Sequence, residues 1–188
     1  NLLQGDPKVA AAEQQVLQRL CSQLGLADDV PTLISKGLAA AQGGAASGAI
    51  GSIVPPRTVA QLTWFGLTRA DTQRLEKHVT LLPRATPVNL NTAGREVLMA
   101  VVNELDAASA DRLIRARQPN SFKTLEQAQA AIGSAQPLSP QRVDIKSSFF
   151  EVWGRMRLEQ RVLDERAIVE RRTGRELVPI FLERMSSH

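Results

Sequence analysis

A chain of 188 residues with 43% hydrophobic side chains can bury a core of ordinary size, as one domain or as two small ones. Aromatics make up only 4% and tyrosine is absent, so the apolar content is mostly Ala and Leu, which favours helices over a large sheet. A net charge of +4 permits contact with phosphate or anionic lipid without demanding it, and a single cysteine, Cys21, excludes an intrachain disulfide and a thiolate metal cluster.

The chain opens on Asn1-Leu2-Leu3, which reads as the middle of a longer sequence. It contains no signal peptide and no run of about 18 apolar residues, so the expectation is a fragment whose targeting or membrane segment has been removed. Val9, Val16, Leu17, Leu20 and Leu24 predict a first helix from about Pro7 to Leu24, with Pro7 tolerated in its first turn and Gly25 as its stop. Cys21 lies on its apolar face and reads as a buried structural thiol, since neither His78 nor His188 can be set beside it. A second helix is expected from near Asp29, capped by Asp28 or Asp29 and striped by Leu33, Ile34 and Leu38. The Gly/Ala-rich stretch 43–52 has no periodicity and is expected to be a mobile loop closed by Pro55-Pro56.

From Thr58 a short helix carries Val59, Leu62, Trp64 and Phe65 and stops at Gly66, and Thr68 with Asp71 opens another toward Leu75 and Val79. Then comes Val88-Asn89-Leu90-Asn91-Thr92-Ala93, an extended approach to a helix. Pro87 pushes Thr86 toward extended geometry, and Asn91 or Thr92 is placed to accept a bond from a free amide of the next first turn. Helices are predicted near 92–104, 107–117 and 125–132, the last with Thr124 and Gln127 as a capping box. Five to seven short helices thus occupy residues 1–133.

After Pro140 the period drops to two. Phe150, Val152, Gly154, Met156 and Leu158 alternate with Phe149, Glu151, Trp153, Arg155 and Arg157. A strand from about Val162 to Arg172, a Thr173-Gly174 turn and a strand through Val178, Ile180 and Leu182 complete an antiparallel meander, with Pro179 marking the last strand as an edge. Three strands with one apolar face do not stand alone, so this face is expected to pack on the helices or on a segment outside the fragment. The arginines from Glu151 to Arg184 are interleaved with acids and read as a salt-bridged, solvated face rather than a nucleic-acid patch.

No nucleotide-binding, hydrolase or zinc motif occurs, and no catalytic, cofactor-binding or metal-binding residue is expected. His78, beside Lys77, reads as a cation at a helix end rather than a catalytic base. Asp28-Asp29 reads as a cap, and Asp164-Glu165 points to opposite faces of a strand.

The order of Asn89 to Ala93, Ile114, Arg117, Phe122 and Leu125 resembles helix-hairpin-helix modules of DNA receptors. In that motif a Gly-x-Gly hairpin lets backbone amides approach a phosphate. Here Val102-Asn103-Glu104-Leu105-Asp106 has no glycine and carries two acids, so the scaffold is kept without its phosphate cradle, and DNA binding remains only as the alternative function.

A broader resemblance is to the K-type minor pseudopilin of bacterial type II secretion, also called general secretion pathway protein K. It rests on Asn1-Leu2-Leu3; on Gln61-Leu62, Phe65-Gly66-Leu67, Arg74-Leu75 and Val79-Thr80-Leu81-Leu82-Pro83 running into Val88 to Ala93; and on Ser147-Ser148-Phe149-Phe150-Glu151-Val152 to Leu158. The resemblance implies an α+β fold, in which helix-hairpin-helix or SAM-like helices are joined to a C-terminal antiparallel pseudopilin-type meander, without the N-terminal pseudopilin helix. Residues 1–4 would be a remnant of the pseudopilin domain, 5–138 an inserted helical domain and 139–188 the C-terminal sheet. It further implies a non-enzymatic role at the pseudopilus tip, where the protein assembles with I-type and J-type minor pseudopilins to initiate or cap the filament and support export across the outer membrane. Secreted substrate or the outer-membrane secretin are further partners it points to, and nucleic acid is not. The setting would be the periplasmic side of a Gram-negative inner membrane, with membrane contact only through the deleted helix. The family's acidic DW-x-DaD run and following GaE suggest calcium. Here Lys36-Gly37-Leu38 and the Gly/Ala-rich stretch fill that interval without an acid, so no calcium ligand is assigned.

Overall fold

The computed structural model describes residues 7–47, 54–133, 137–159, 161–173 and 176–187. It divides into two compact units, Asn1–Ile145 and Lys146–His188. The fold is α+β, as expected, with helices in the first unit and an antiparallel three-stranded sheet in the second.

In the first unit α1 spans Pro7–Gln23 and α2 Val30–Ser47. Gly25, at φ 64°, ends α1 in the left-handed region, and the Leu26 amide reaches back to the Cys21 carbonyl at 3.0 Å, a Schellman closure. Asp29 occupies the cap position of α2, its carbonyl accepting from the Leu33 amide at 2.9 Å. A 3-10 helix, Val59–Phe65, and α3, Arg69–Glu76, follow. Each opens on a capping box: Thr68 with Asp71, as the sequence predicts, and Thr58 with Gln61, where the sequence marks only the helix start. Their apolar faces meet α1 and α2 in a first core cluster that includes Cys21, Ile34, Leu62, Phe65 and Leu75. Gly37 allows this approach, because a Cβ on it would overlap the Phe65 ring.

The expected loop at 43–52 is corrected over its first half: Gly43 to Ser47 continue α2. Two glycines in a helix cost about 1 kcal/mol each relative to Ala, but the alanines around them favour helix and Ala41 is buried in the core. Residues 48–52 lie outside the described residues.

The remaining helices are α4 (Arg95–Val101), α5 (Ala107–Arg117) and α6 (Leu125–Ile132). They build a second core cluster from Leu90, Leu98, Leu113, Phe122, Ile132 and Val143, against which Val16 of α1 also packs. Two short strands, β1 (Val88–Asn89) and β2 (Val143–Asp144), pair in parallel and tie the start of this cluster to its end. Residues 139–145 therefore lie in the helical unit.

The second unit is a meander of β3 (Phe149–Leu158), β4 (Arg161–Arg171) and β5 (Leu177–Ser187) in that order. Phe149 pairs with Glu170 and Leu158 with Arg161. Between β4 and β5 the register slips at Ile168/Val169, where Phe181 faces Ile168 and Pro179 faces Val169, leaving Ile180 as the extra residue of a bulge. Pro179 has no N–H to donate, and β5 is an edge strand as its presence predicts.

Candidate functional site

The Asn89 to Ala93 corner owes its shape to one amide and one guanidinium. Asn91 does not cap α4, and neither does Thr92: the helix starts only at Arg95, with Gly94 at the cap position and no side-chain cap. Asn89 to Ala93 form a turn instead, the Ala93 amide donating to the Asn89 carbonyl at 2.9 Å. This shortens the helix expected over 92–104 and frees Asn91 for a different task. Its Nδ2 donates to the carbonyls of Phe122 at 3.0 Å and Ile145 at 3.1 Å, and its Oδ1 accepts from the Phe122 amide at 2.8 Å. One side chain thus satisfies three backbone groups from two separate segments, neither of which is in a helix. Arg117, in the last turn of α5, donates to the carbonyls of Leu90 and Ala93. Burial lowers its pKa from the usual guanidinium value. Sequence order pointed to Arg117 as part of a motif; that it latches the corner became visible only in three dimensions.

The hairpin between α4 and α5 carries the features that decide for or against phosphate. Glu104 sits at φ 55°, in the region that glycine occupies without cost. Asp106 caps α5, its Oδ1 accepting from the Ser109 amide at 2.7 Å. Hydrogen bonding from Ser109 holds the Asp106 carboxyl below its ordinary pKa. The carboxylate therefore occupies an amide that a phosphate would need, and it adds like charge beside the others. The hairpin is a packing turn, with Leu105 in the core.

Cys21 is buried, 2% exposed, and burial pushes its thiol up to about 11, which suits a structural residue and not a nucleophile. His78 follows α3, its Nδ1 4.0 Å from Glu96 Oε2. Among the described residues no group of three or more His, Cys, Asp or Glu side chains is arranged to hold a metal. No helix among them is long and apolar enough to cross a membrane.

The sheet presents the other candidate surface. Ion pairs run across its strands: Arg155 with Asp164, Arg166 with Glu151 and Glu183, and Arg184 with Glu165. The interleaved charges thus pair as read from the sequence, and Asp164 and Glu165 serve opposite faces. On the Glu165 face stand Phe150 (39% exposed), Val152 (49%), Met156 (63%) and Leu182 (51%). Apolar side chains aligned in neighbouring strands and left in solvent mark a surface made to be covered.

Residues 88–146 match the model of the family described as type II secretion system (T2SS), protein K. The matched stretch coincides with the module bounded by the β1–β2 bridge, and it bears out the resemblance carried by the sequence motifs. Residues 88–146 are thus similar to a segment of a type II secretion component. No curated protein matches the chain.

Proposed function

We propose that the chain is the periplasmic part of a K-type minor pseudopilin at the tip of the type II secretion pseudopilus. In this reading residues 5–138 form the bulk of a helical domain inserted into a pseudopilin fold, residues 139–145 complete it, and the strands from Phe149 onward supply the C-terminal sheet. Residues 1–4 are the end of the segment that connects to the pseudopilin helix. The I-type and J-type minor pseudopilins are the partners, and the bulk of the helical domain stops a further subunit from stacking above. The protein thereby starts or caps the filament and supports export without covalent chemistry of its own. The helical domain is the part that meets secreted substrate or the secretin.

The observation that carries the reading is the family match over 88–146, taken with the exposed apolar side chains on one face of the sheet. A side chain such as Val, Leu, Phe or Met contributes about 1.5–3 kcal/mol when fully buried. Four that are roughly half exposed leave several kcal/mol to be gained by a covering element, which is what the hydrophobic helix of a pseudopilin provides.

The test is size-exclusion chromatography with light scattering of the protein, extended at its N-terminus, mixed with the I and J pseudopilins of the same organism. A stable one-to-one-to-one peak supports the tip assignment, and separate elution of folded components refutes it. In cells, deletion of residues 5–138 must alter pseudopilus length or secretion; unchanged values for both would sink the capping role.

A further inference from the structure

Three side chains distant in sequence converge in the helical unit. Arg19 of α1 donates through Nη1 and Nη2 to Asn103 Oδ1 at 3.1 and 3.2 Å, and Arg142 donates through Nη1 to the same oxygen at 3.3 Å. An amide oxygen has two lone pairs, so three donors compete for it. Arg19 Nε is buried with no hydrogen-bond partner. Arg142 Nε lies 3.7 Å from Glu13 Oε1, within ion-pair range but beyond a hydrogen bond. Burial, and then the charge of Arg142, lowers the pKa of Arg19, so the two cations feel each other. Guanidinium groups crowded on one neutral acceptor, with a buried donor left over, form a cradle that an anionic acceptor would satisfy.

Beside the cradle lies a cavity of about 180 Å³, whose walls include Val101, Val102, Leu138 and Val143, with Asn103 and Arg142 at its polar side. Sites for cofactors and drug-sized ligands run from about 300 to 1,000 Å³, so this one is too small for them. An apolar cavity of about 150 Å³ holds a benzene molecule, so this one suits a single side chain. Its walls are held in place by backbone bonds. The Leu138 amide donates to Gln129 Oε1 at 2.7 Å, and the Arg142 and Val143 amides donate to the Ser139 carbonyl at 2.9 and 3.0 Å. The Arg142 carbonyl accepts from Val88 at 2.8 Å, which fixes the base of the arginine. A site already shaped before binding loses little freedom when occupied.

We propose that this cavity receives the C-terminal aliphatic residue of a partner polypeptide, its side chain between Val101, Val102, Leu138 and Val143 and its carboxylate on Arg142, the guanidinium that lines the cavity, with Arg19 behind it sharing Asn103. Both halves are needed to explain the site. A small polar anion such as phosphate would leave four apolar walls unfilled, and an uncharged aliphatic group would leave the guanidinium donors crowded on Asn103. The inference is independent of the secretion reading, since it uses only the residues of the helical unit.

The test is a methyl-detected NMR titration of the whole chain with acetyl-Ala-Ala-Leu bearing a free carboxylate, with its C-terminal amide, and with inorganic phosphate. The free acid is expected to give saturable shifts at the methyls of Val101, Val102, Leu138 and Val143, and the amide to bind at least about tenfold more weakly. Arg142→Gln should weaken the free acid by a similar factor and Arg142→Lys should restore part of it. Because Arg142→Gln also removes the ion-pair partner of Glu13, Leu138→Phe serves as a second variant, filling the cavity without touching either arginine, and it should abolish the shifts. Circular dichroism identifies any variant that has lost its helices. The proposal is overturned if the acid gives no saturable shift through millimolar concentrations, or if the amide binds equally well. It is equally overturned if Leu138→Phe remains folded and still binds, or if phosphate displaces the peptide at equal concentration, which would make the cradle a general anion site.

Discussion

Asn91→Ala should be among the most damaging single changes outside the apolar core. The side chain makes three hydrogen bonds to backbone groups, two with Phe122 and one with Ile145, at 2.8 to 3.1 Å. A typical intramolecular bond contributes about 1 kcal/mol net, and a buried group left unpaired costs about 1–3 kcal/mol. The groups here are partly buried and water can reach some of them, so about 3 kcal/mol is expected in total. With a urea m-value near 2 kcal/mol/M, that lowers the unfolding midpoint by about 1.5 M. Circular dichroism at 222 nm is the assay, because the helices belong to the unit that Asn91 holds together. Thr92→Ala is the control. Its Oγ1 lies 3.5 Å from the Asn89 carbonyl, too long for a strong bond, so its loss should cost less than about 0.5 kcal/mol. Equal midpoints for the two variants would refute the clamp and return the corner to a simple helix cap.

Three further changes probe other parts of the structure. Gly37→Ala should destabilise by about 1–2 kcal/mol despite the better helix propensity of Ala, because its Cβ overlaps the buried Phe65 ring, whereas Gly43→Ala, with open space around its Cβ, should gain up to about 1 kcal/mol; thermal melts of the pair separate packing from propensity. Glu104→Gly should stabilise by about 0.5 kcal/mol, since relief of a left-handed backbone exceeds the entropy that glycine adds to the unfolded chain, and a loss in urea titrations would refute the strain argument. Cys21 has a folded-state pKa raised to about 11, so the folded chain keeps a proton that the unfolded chain releases, and stability is lost as pH rises from about 9 to 11. The stability difference between the native protein and Cys21→Ala should therefore shift against the native protein over that window, by about 1 to 3 kcal/mol, and a difference that is flat with pH would refute a buried, protonated thiol.

Local rules made much of the architecture legible. Capping signals at Thr58, Thr68 and Thr124 and the stops at Gly25 and Gly66 act within a few residues, so the sequence carries them openly. The helices at 107–117 and 125–132 and the period-two strand from Phe149 follow for the same reason. What could not be read was decided at a distance. Gly43 and Gly44 argue for a loop by propensity, but Ala41 buried in the core and the surrounding alanines carry the helix past them. Asn91 looks like a cap because local chemistry offers it one; its partners are 31 and 54 residues away, and no pattern near Asn91 announces them. Arg19 and Asn103, 84 residues apart, were likewise invisible as a pair.

The hairpin from Val102 to Asp106 sets helix geometry without offering a phosphate site. A phosphate-binding turn needs glycine for close approach and free amides at the next helix start. Here Leu105 still fills the core and Asp106 still starts a helix at Ala107, so the two helices keep their packing. The backbone at Glu104 takes a left-handed conformation that is strained for a residue with a Cβ. The Asp106 carboxylate engages the Ser109 amide, and with Glu104 it makes the turn acidic, so what a phosphate needs is missing while the parts that set helix geometry are present. Asn91 and Arg117 then turn that geometry into a closed module by spending their polar groups on Leu90, Ala93, Phe122 and Ile145 rather than on a ligand. A module whose corner is satisfied internally can serve as rigid bulk, which is what the role proposed for it at a filament tip requires.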